Sequence, residues 1–364
     1  MEKTIKNRIL QSKDRMISYE EFIQLALYDE LEGYYNAYQD KIGRKADFYT
    51  NSNIGSVFGE IIGQWFCLVL KKMKLAPVIL ELGGGTGKAA NDILNAISQL
   101  NQDLYQSLSY ILIESSPHHR KIQKETLKSH TNAIITDDWS IIRKWQGLMW
   151  SNEFFDALPV HVIEKHHGQF YEIMIGEKEG KFREVNRSLD QLSLKQYIKQ
   201  YGIQMCEGQR IEIPIKMEET AAQIYKQCHK GVLLTIDYGY RQIEWSEPHL
   251  FQGSLRGYRL HRMYNDILQQ PGKLDITAHI HWDTLLQLGR TYGMLELPLM
   301  AQRQFLLNCG ILNLLQQQHS LSDPFSSGHK RNRAITSLID PSGVSSFFQV
   351  LIQSKGINPS RLPF

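Results

Sequence analysis

The stretch Val78-Ile79-Leu80-Glu81-Leu82-Gly83-Gly84-Gly85-Thr86-Gly87-Lys88 restricts the fold of this 364-residue chain more than any other. A short apolar run ends in an acid, enters four glycines, and continues into apolar residues at helical spacing (Ile93, Leu94, Ile97, Leu100). This pattern predicts a buried strand, a tight turn and a helix start. Glycine lets backbone N–H groups approach a ligand closely, and a helix N-terminus favours an anionic group. The stretch therefore reads as a nucleotide or nucleoside site at the carboxyl end of a parallel strand.

Spacing separates the ligand classes that use such a turn. A phosphate-binding P-loop needs Gly-Lys followed by Ser or Thr; here Ala89 follows Lys88, and Leu82 stands where the first glycine belongs. A dinucleotide fingerprint counted from Gly83 reaches Gly85 and then Lys88, so its third glycine is missing. The Glu-x-Gly-x-Gly-x-Gly pattern of Glu81, Gly83, Gly85 and Gly87 is the one S-adenosylmethionine (SAM) methyltransferases carry. The competing reading is a glycine-rich turn with no ligand.

The chain is long enough to bury a large core and to carry additions to a main domain. A net charge of +3 gives no argument for nucleic acid, and 42% hydrophobic with 22% charged residues is an ordinary globular balance. No apolar run reaches the length of a membrane span. The first residues, Met1 to Arg8, have charge but no apolar core, so they do not read as a secretory signal. Four scattered cysteines (Cys67, Cys206, Cys228, Cys309) fit a reducing cytoplasm and show no metal-ligand spacing.

Residues 1–75 read as a helical N-terminal cap. Ser18-Tyr19-Glu20-Glu21 predicts a helix start, and a second helix is expected over about 53–74. The tyrosine-rich loop between them reads either as packing or as a lid, and composition favours packing. Residues 76–159 alternate strand and helix, the mark of a doubly wound α/β domain. The second strand, Tyr110–Ile113, ends at Glu114, where two carboxylate oxygens can hold a ribose diol; the competing reading is a helix N-cap before Pro117. A third strand ends at Asp137, placed to meet an adenine amino group. The fourth, Gly147–Trp150, ends in Ser151-Asn152-Glu153-Phe154-Phe155-Asp156-Ala157-Leu158-Pro159. Packing explains poorly a polar pair flanked by two phenylalanines and followed by an acid, at the ligand side of such a sheet.

Residues 160–230 read as an inserted α+β region, and the sheet resumes at Gly231–Ile236, ending at Asp237. A second excursion spans about 240–290. His279 and His281 fall on one side of an alternating segment, but no third ligand with suitable spacing is visible, so no metal is expected. A helix is expected around 301–316, then a solvated loop with Lys330, Arg331 and Arg333, then a strand over Phe347–Ile352. The core is thus expected over 76–159 and 231–364.

With these residues in view, the chain resembles the MidA-like methyltransferases, the family that includes the mitochondrial complex I assembly factor. The resemblance rests on Gly33-Tyr34-Tyr35, Asp47-Phe48-Tyr49-Thr50, Phe58-Gly59-Glu60, the Glu81–Gly87 turn and Ser151–Pro159. Leu255-Arg256-Gly257-Tyr258, Pro271-Gly272, Asp275-Ile276-Thr277-Ala278-His279 and Gln304-Phe305-Leu306 extend it over nearly the whole chain. Ala46, Gly84-Gly85-Thr86-Gly87 and the C-terminal Pro341–Ser345 depart from the family pattern. The resemblance implies a class I SAM-methyltransferase, Rossmann-like, with a mostly parallel doubly wound sheet. It also implies SAM as cofactor, a protein substrate, and methyl transfer to an arginine guanidinium. It further implies a bacterial cytoplasmic member with no transit peptide.

Glu153 and Asp156 are then the candidate guanidinium clamps, with Asn152 as a hydrogen-bonding partner and Asp237 in reserve. Glu81, Gly83, Gly85, Gly87, Glu114 and Asp137 are the candidate cofactor residues. The alternatives are a SAM-binding or cofactor-free scaffold protein, a nicotinamide-dependent oxidoreductase, and a methyltransferase acting on a small nitrogen or oxygen acceptor.

Overall fold

The glycine-ended strand, β1 (Val78–Leu82), lies inside a mixed sheet, flanked in parallel by β2 (Ser109–Ile113) and β4 (Trp145–Asn152). β3 (Ala133–Thr136) continues in parallel beyond β2, and β5 (Cys228–Tyr240) runs parallel to β4. β7 (Phe348–Lys355) returns antiparallel to β5, and the short β6 (Leu295–Glu296) pairs with β7, giving the order β3-β2-β1-β4-β5-β7-β6. Ile79, Leu80, Leu148, Met149, Trp150 and Val232–Leu234 are all buried, as parallel strands covered on both faces require. The computed structural model describes residues 1–37, 56–316 and 326–364; Ala46 and the Asp47–Thr50 stretch lie outside the described residues.

The chain divides into two compact units. One comprises Tyr49–Phe154, Ile224–Tyr238 and Gly289–Phe364 and contains this sheet through Tyr238. Helix α1 (Val57–Lys72) belongs to it, so the expected N-terminal cap over 1–75 does not hold together. The reason is the apolar face of α1: Phe58, Ile61, Ile62, Trp65, Phe66 and Val69 join one core with Ile79, Leu148, Trp150 and Leu234 of the sheet. Helix α2 (Lys88–Leu100) comes so close to α1 that a Cβ on Gly59 would stand 2.5 Å from the Cβ of Asp92. The segment read as a solvated basic loop is helical over Ser327–Ile339, and Arg331 grips both oxygens of Glu60 at 2.7 and 2.8 Å.

The other unit comprises Met1–Phe48, Phe155–Gln223 and Gly239–Leu288. The expected inserted region and second excursion therefore share one unit with the first two helices. Its antiparallel sheet has Met16–Ser18, Gln169–Lys178, His161–His166 and Arg210–Ile213 in that order, with Lys181–Ser188 on the other side of Gln169–Lys178. Ser18 caps the helix Tyr19–Tyr28, accepting from the N–H of Glu21. Tyr34 is buried in this unit's core, and Tyr35 donates to Asp275 at 2.7 Å, so at both the packing reading holds. His279 and His281 lie against the rings of Tyr240 and Trp245. Among the described residues no helix is long and apolar enough to cross a membrane.

His161 ties the helix Tyr19–Tyr28 to this sheet. It is buried, with Nδ1 2.8 Å from Glu172 and Nε2 3.0 Å from Glu20, the latter an ion-pair contact off the line of a good hydrogen bond. Burial pulls its pKa down, but the hydrogen bond to Glu172 and the close negative charges of Glu20 and Glu172 outweigh this and raise it to about 9. A histidine whose folded pKa exceeds its unfolded value stabilises fully below the unfolded value, near 6.5, and loses that contribution as pH rises through the folded one. Melting measured from pH 6 to 10 should therefore show a decline between about 6.5 and 9, worth at most about 3 kcal/mol. In His161→Gln the protein should start less stable at pH 6 and lose that decline; an unchanged pH profile would show that the imidazolium contributes nothing.

Candidate active site

The sheet order changes direction at β1, where successive strands are added on opposite sides, and the carboxyl ends of β1 and β4 meet as the pair Leu82 and Ser151. Ligands of open α/β sheets sit at such a point. Gly83, Gly85 and Gly87 have φ of 67°, 51° and 78°, the left-handed region that side chains avoid. A Cβ on Gly85 would meet nothing within 4 Å, so this residue presents bare backbone to open space. On Gly83 the Cβ would stand 2.8 Å from the ring of Phe154. Gly87 is the N-cap of α2, so the free N–H groups of that helix begin where the turn ends.

Glu81 lies buried beneath the turn. Tyr110 donates to its Oε2 at 2.7 Å, and Trp150 Nε1 donates to the Tyr110 hydroxyl at 3.1 Å. Burial lifts its pKa to about 7 against the Tyr110 hydrogen bond, with Glu114 adding to the rise. Glu114, directly after β2, is also buried. Its Oε1 accepts from the Ser116 N–H at 2.9 Å, and its Oε2 lies 3.5 Å from Gln123 Nε2. Burial raises its pKa to about 7 as well, opposed by backbone N–H groups of Ser116, Gly85 and Ser115 and by the charge of Arg120. The N-cap of helix α3 (Pro117–Thr126) is Ser116, which accepts from the N–H of His119, so the capping alternative does not fall to Glu114. Asp137, at the end of β3, has an exposed side chain paired with Arg120 at 2.9 Å.

At the end of β4, Asn152 Nδ2 donates to Glu153 Oε1 at 2.9 Å, and Asn152 Oδ1 is buried with no donor among the described residues. Glu153 has φ of 51°, a costly conformation for a side chain, and its N–H is held by the carbonyl of Ile236 at 3.0 Å. Asp237 is fully buried and accepts from the Tyr238 N–H at 2.9 Å. Asp156 belongs to the other unit, where its carbonyl accepts from the Ala278 N–H at 2.9 Å. Its charge, after burial and that of Asp275 and Tyr28, helps keep the Tyr35 phenol protonated. Sequence reasoning missed Tyr110, Trp150 and Gln123. A tyrosine and a tryptophan within apolar strands look like core, and helix α3 is too polar for its buried face to be recognised.

The fit to an adenosyl cofactor rests on three features: open space over Gly85, a buried acid after β2, and an unsatisfied acceptor at Asn152. Strand order, turn and acids together define a class I SAM-dependent methyltransferase. A family model described as "Putative S-adenosyl-L-methionine-dependent methyltransferase" matches residues 61–298, and the chain belongs to this family. It is 27% identical to the mitochondrial protein arginine methyltransferase NDUFAF7 of Danio rerio, over 92% of this chain and 82% of that protein. The human NDUFAF7 is 26% identical, covering 81% and 70%. Among solved structures, a Burkholderia thailandensis protein bound to S-adenosyl-homocysteine superposes with a TM-score of 0.87 at 24% identity, covering 98% of this chain and 92% of that one. That likeness shows the fold.

Gly85→Val should weaken SAM and S-adenosylhomocysteine binding by calorimetry by about a hundredfold or more, because a branched side chain would fill the open space and strain the backbone. Gly85→Ala controls for strain alone. With Glu114 as the group that holds the ribose hydroxyls, SAM affinity should also fall as pH drops below about 7, by at most about tenfold per unit, as its carboxylate takes up a proton. Glu114→Gln should shrink that dependence; an unaltered profile would remove Glu114 from the site.

Proposed function

We propose that this SAM-dependent methyltransferase transfers its methyl group to a protein arginine. The observation that carries this reading is the Asn152-Glu153 pair at the carboxyl end of β4. A carboxylate is held there in a left-handed backbone conformation by a side-chain amide and a backbone carbonyl. Side chains accept such a conformation mainly where the surroundings fix it, and such positions cluster at functional sites. The relatives named as protein arginine methyltransferases support the same substrate class.

In this reading the Gly83–Gly87 turn, Glu114 and Asp137 hold the cofactor, and Glu81 supports the turn from below. SAM supplies an electrophilic methyl group on a sulfonium. The chain's own residues must align the acceptor nitrogen and exclude water. A guanidinium is permanently cationic with delocalised lone pairs, so it is a poor nucleophile. Glu153 pairs with it, concentrates its positive charge away from one nitrogen, and leaves that nitrogen free to attack. Asn152 fixes the carboxylate's orientation.

Glu153→Gln should lower turnover by about a hundredfold or more, a typical loss for one electrostatic contact made in the transition state, with SAM affinity within about twofold of the parent. The assay is tritiated methyl transfer from SAM to total lysate protein, followed by acid hydrolysis and amino-acid analysis. Label in methylarginine supports the reading. Label in another residue, or in small molecules only, overturns the arginine assignment, and undiminished turnover in Glu153→Gln removes that residue as the clamp.

A further inference from the structure

The side chain of Gln123, seven residues into helix α3, is fully buried although the helix around it is polar. It reaches across to the glycine turn. Its Nε2 donates to the carbonyl of Gly85 at 2.9 Å and lies 3.5 Å from Glu114 Oε2. The Gly85 N–H in turn supports the Glu114 carboxylate. Turn and acid thus meet at the amide of Gln123, which donates to the Gly85 C=O and faces the Glu114 carboxylate. The missing side chain of Gly87 is part of this arrangement, since a Cβ there would stand 3.2 Å from Gln123 Cγ.

The amide orientation is fixed by its partners. Both groups in front of Nε2 are acceptors, so turning the amide over would set oxygen against oxygen. Gln123 Oε1 has no donor among the described residues, so the Nε2 side alone decides. A buried donor aimed at a peptide carbonyl and a carboxylate does two things. It fixes the plane of the peptide that carries the Gly85 carbonyl, and with it the conformation of the turn beside Glu114. It also favours the ionised form of Glu114, which accepts hydroxyl protons best.

We propose that Gln123 is a positioning residue for the cofactor, setting both the Gly85 peptide and the carboxylate of Glu114 that receives the ribose. This rests on the assignment of the ribose to Glu114. The arrangement tolerates ligand entry: the 3.5 Å contact to Glu114 is long enough to yield to a hydroxyl, while the 2.9 Å bond to Gly85 keeps the amide in place.

The test uses Gln123→Met, which keeps volume and helix preference but removes the donor, and Gln123→Glu, which sets a second acid beside Glu114. Calorimetric titration with SAM from pH 6 to 9 is read alongside initial rates at saturating SAM. Gln123→Met should raise the SAM dissociation constant about tenfold at pH 8 and move the midpoint of its pH dependence upward, with the saturated rate within about twofold of the parent. Gln123→Glu should move that midpoint further in the same direction. A purely structural glutamine would lower the melting temperature without moving the midpoint, and that result would overturn the proposal. So would a Gln123→Met protein that binds SAM within twofold of the parent at every pH. Glu114→Gln separates the two levels: if it leaves affinity and pH dependence untouched, the ribose assignment has failed, whatever Gln123 does.

Discussion

The site depends on one buried chain of hydrogen bonds, from Trp150 on β4 through the Tyr110 hydroxyl on β2 to the Glu81 carboxylate on β1. It crosses the three strands that meet where the sheet changes direction. Burying a carboxylate away from water costs several kcal/mol unless donors replace the lost hydration. Among the described residues the replacement is a single strong donor, itself oriented by the indole N–H. The residue pairs Glu81 with Leu112 and Glu81 with Trp150 keep these strands in the register that lets the three side chains meet. A slip of one residue would turn each to the opposite face. The turn immediately above inherits this rigidity: Gly83 N–H bonds to the carbonyl of Ile113 at 3.0 Å, so the first glycine is held by the neighbouring strand.

That rigidity explains where unfavourable backbone conformations can persist. Gly83, Gly85, Gly87 and Glu153 all have positive φ, and all lie just beyond the carboxyl ends of β1 and β4. Glycine takes this conformation at little cost, so the turn exposes backbone cheaply. Glu153 has a side chain and takes it at a cost of about 1 kcal/mol or more, countered locally by the Ile236 carbonyl and the Asn152 amide. One end of the sheet therefore carries two devices, bare N–H groups over β1 and a preset carboxylate after β4.

The glycine spacing, the five parallel strands and the acid after β2 were legible because each writes itself into a short stretch of sequence. Strand runs are continuous and apolar, and the turn needs glycine at fixed offsets. What was not legible depends on partners distant along the chain. Helix α1 has the same apolar periodicity whether it packs in an N-terminal cap or on the sheet, and only the partner face decides. Arg331 looked solvated because Glu60, which it grips, is 271 residues away. Gln123 sits in a helix with a single aliphatic residue, Ile122, so nothing local announces a buried face. Glu153 and Asp156, three residues apart, read as one constellation, yet the chain passes from one compact unit to the other between Phe154 and Phe155.

Two carboxylates associated with one turn, each with a pKa near 7 from burial, give the site an electrostatic character that no single residue has. Each discourages ionisation of the other, so near neutrality the pair holds less negative charge than two exposed acids would. A ligand that brings positive charge to the turn reverses this, because it favours the ionised form of both. Hydrogen bonds accepted by a carboxylate are stronger than those accepted by its protonated form, so the same charge also improves the grip on hydroxyl groups. The family's cofactor is a sulfonium cation and its demethylated product is neutral. A turn supported by acids that ionise more readily beside a cation thus favours the methyl donor over the spent product, by an amount that grows as pH rises through the titration of the acids and is complete where both are ionised.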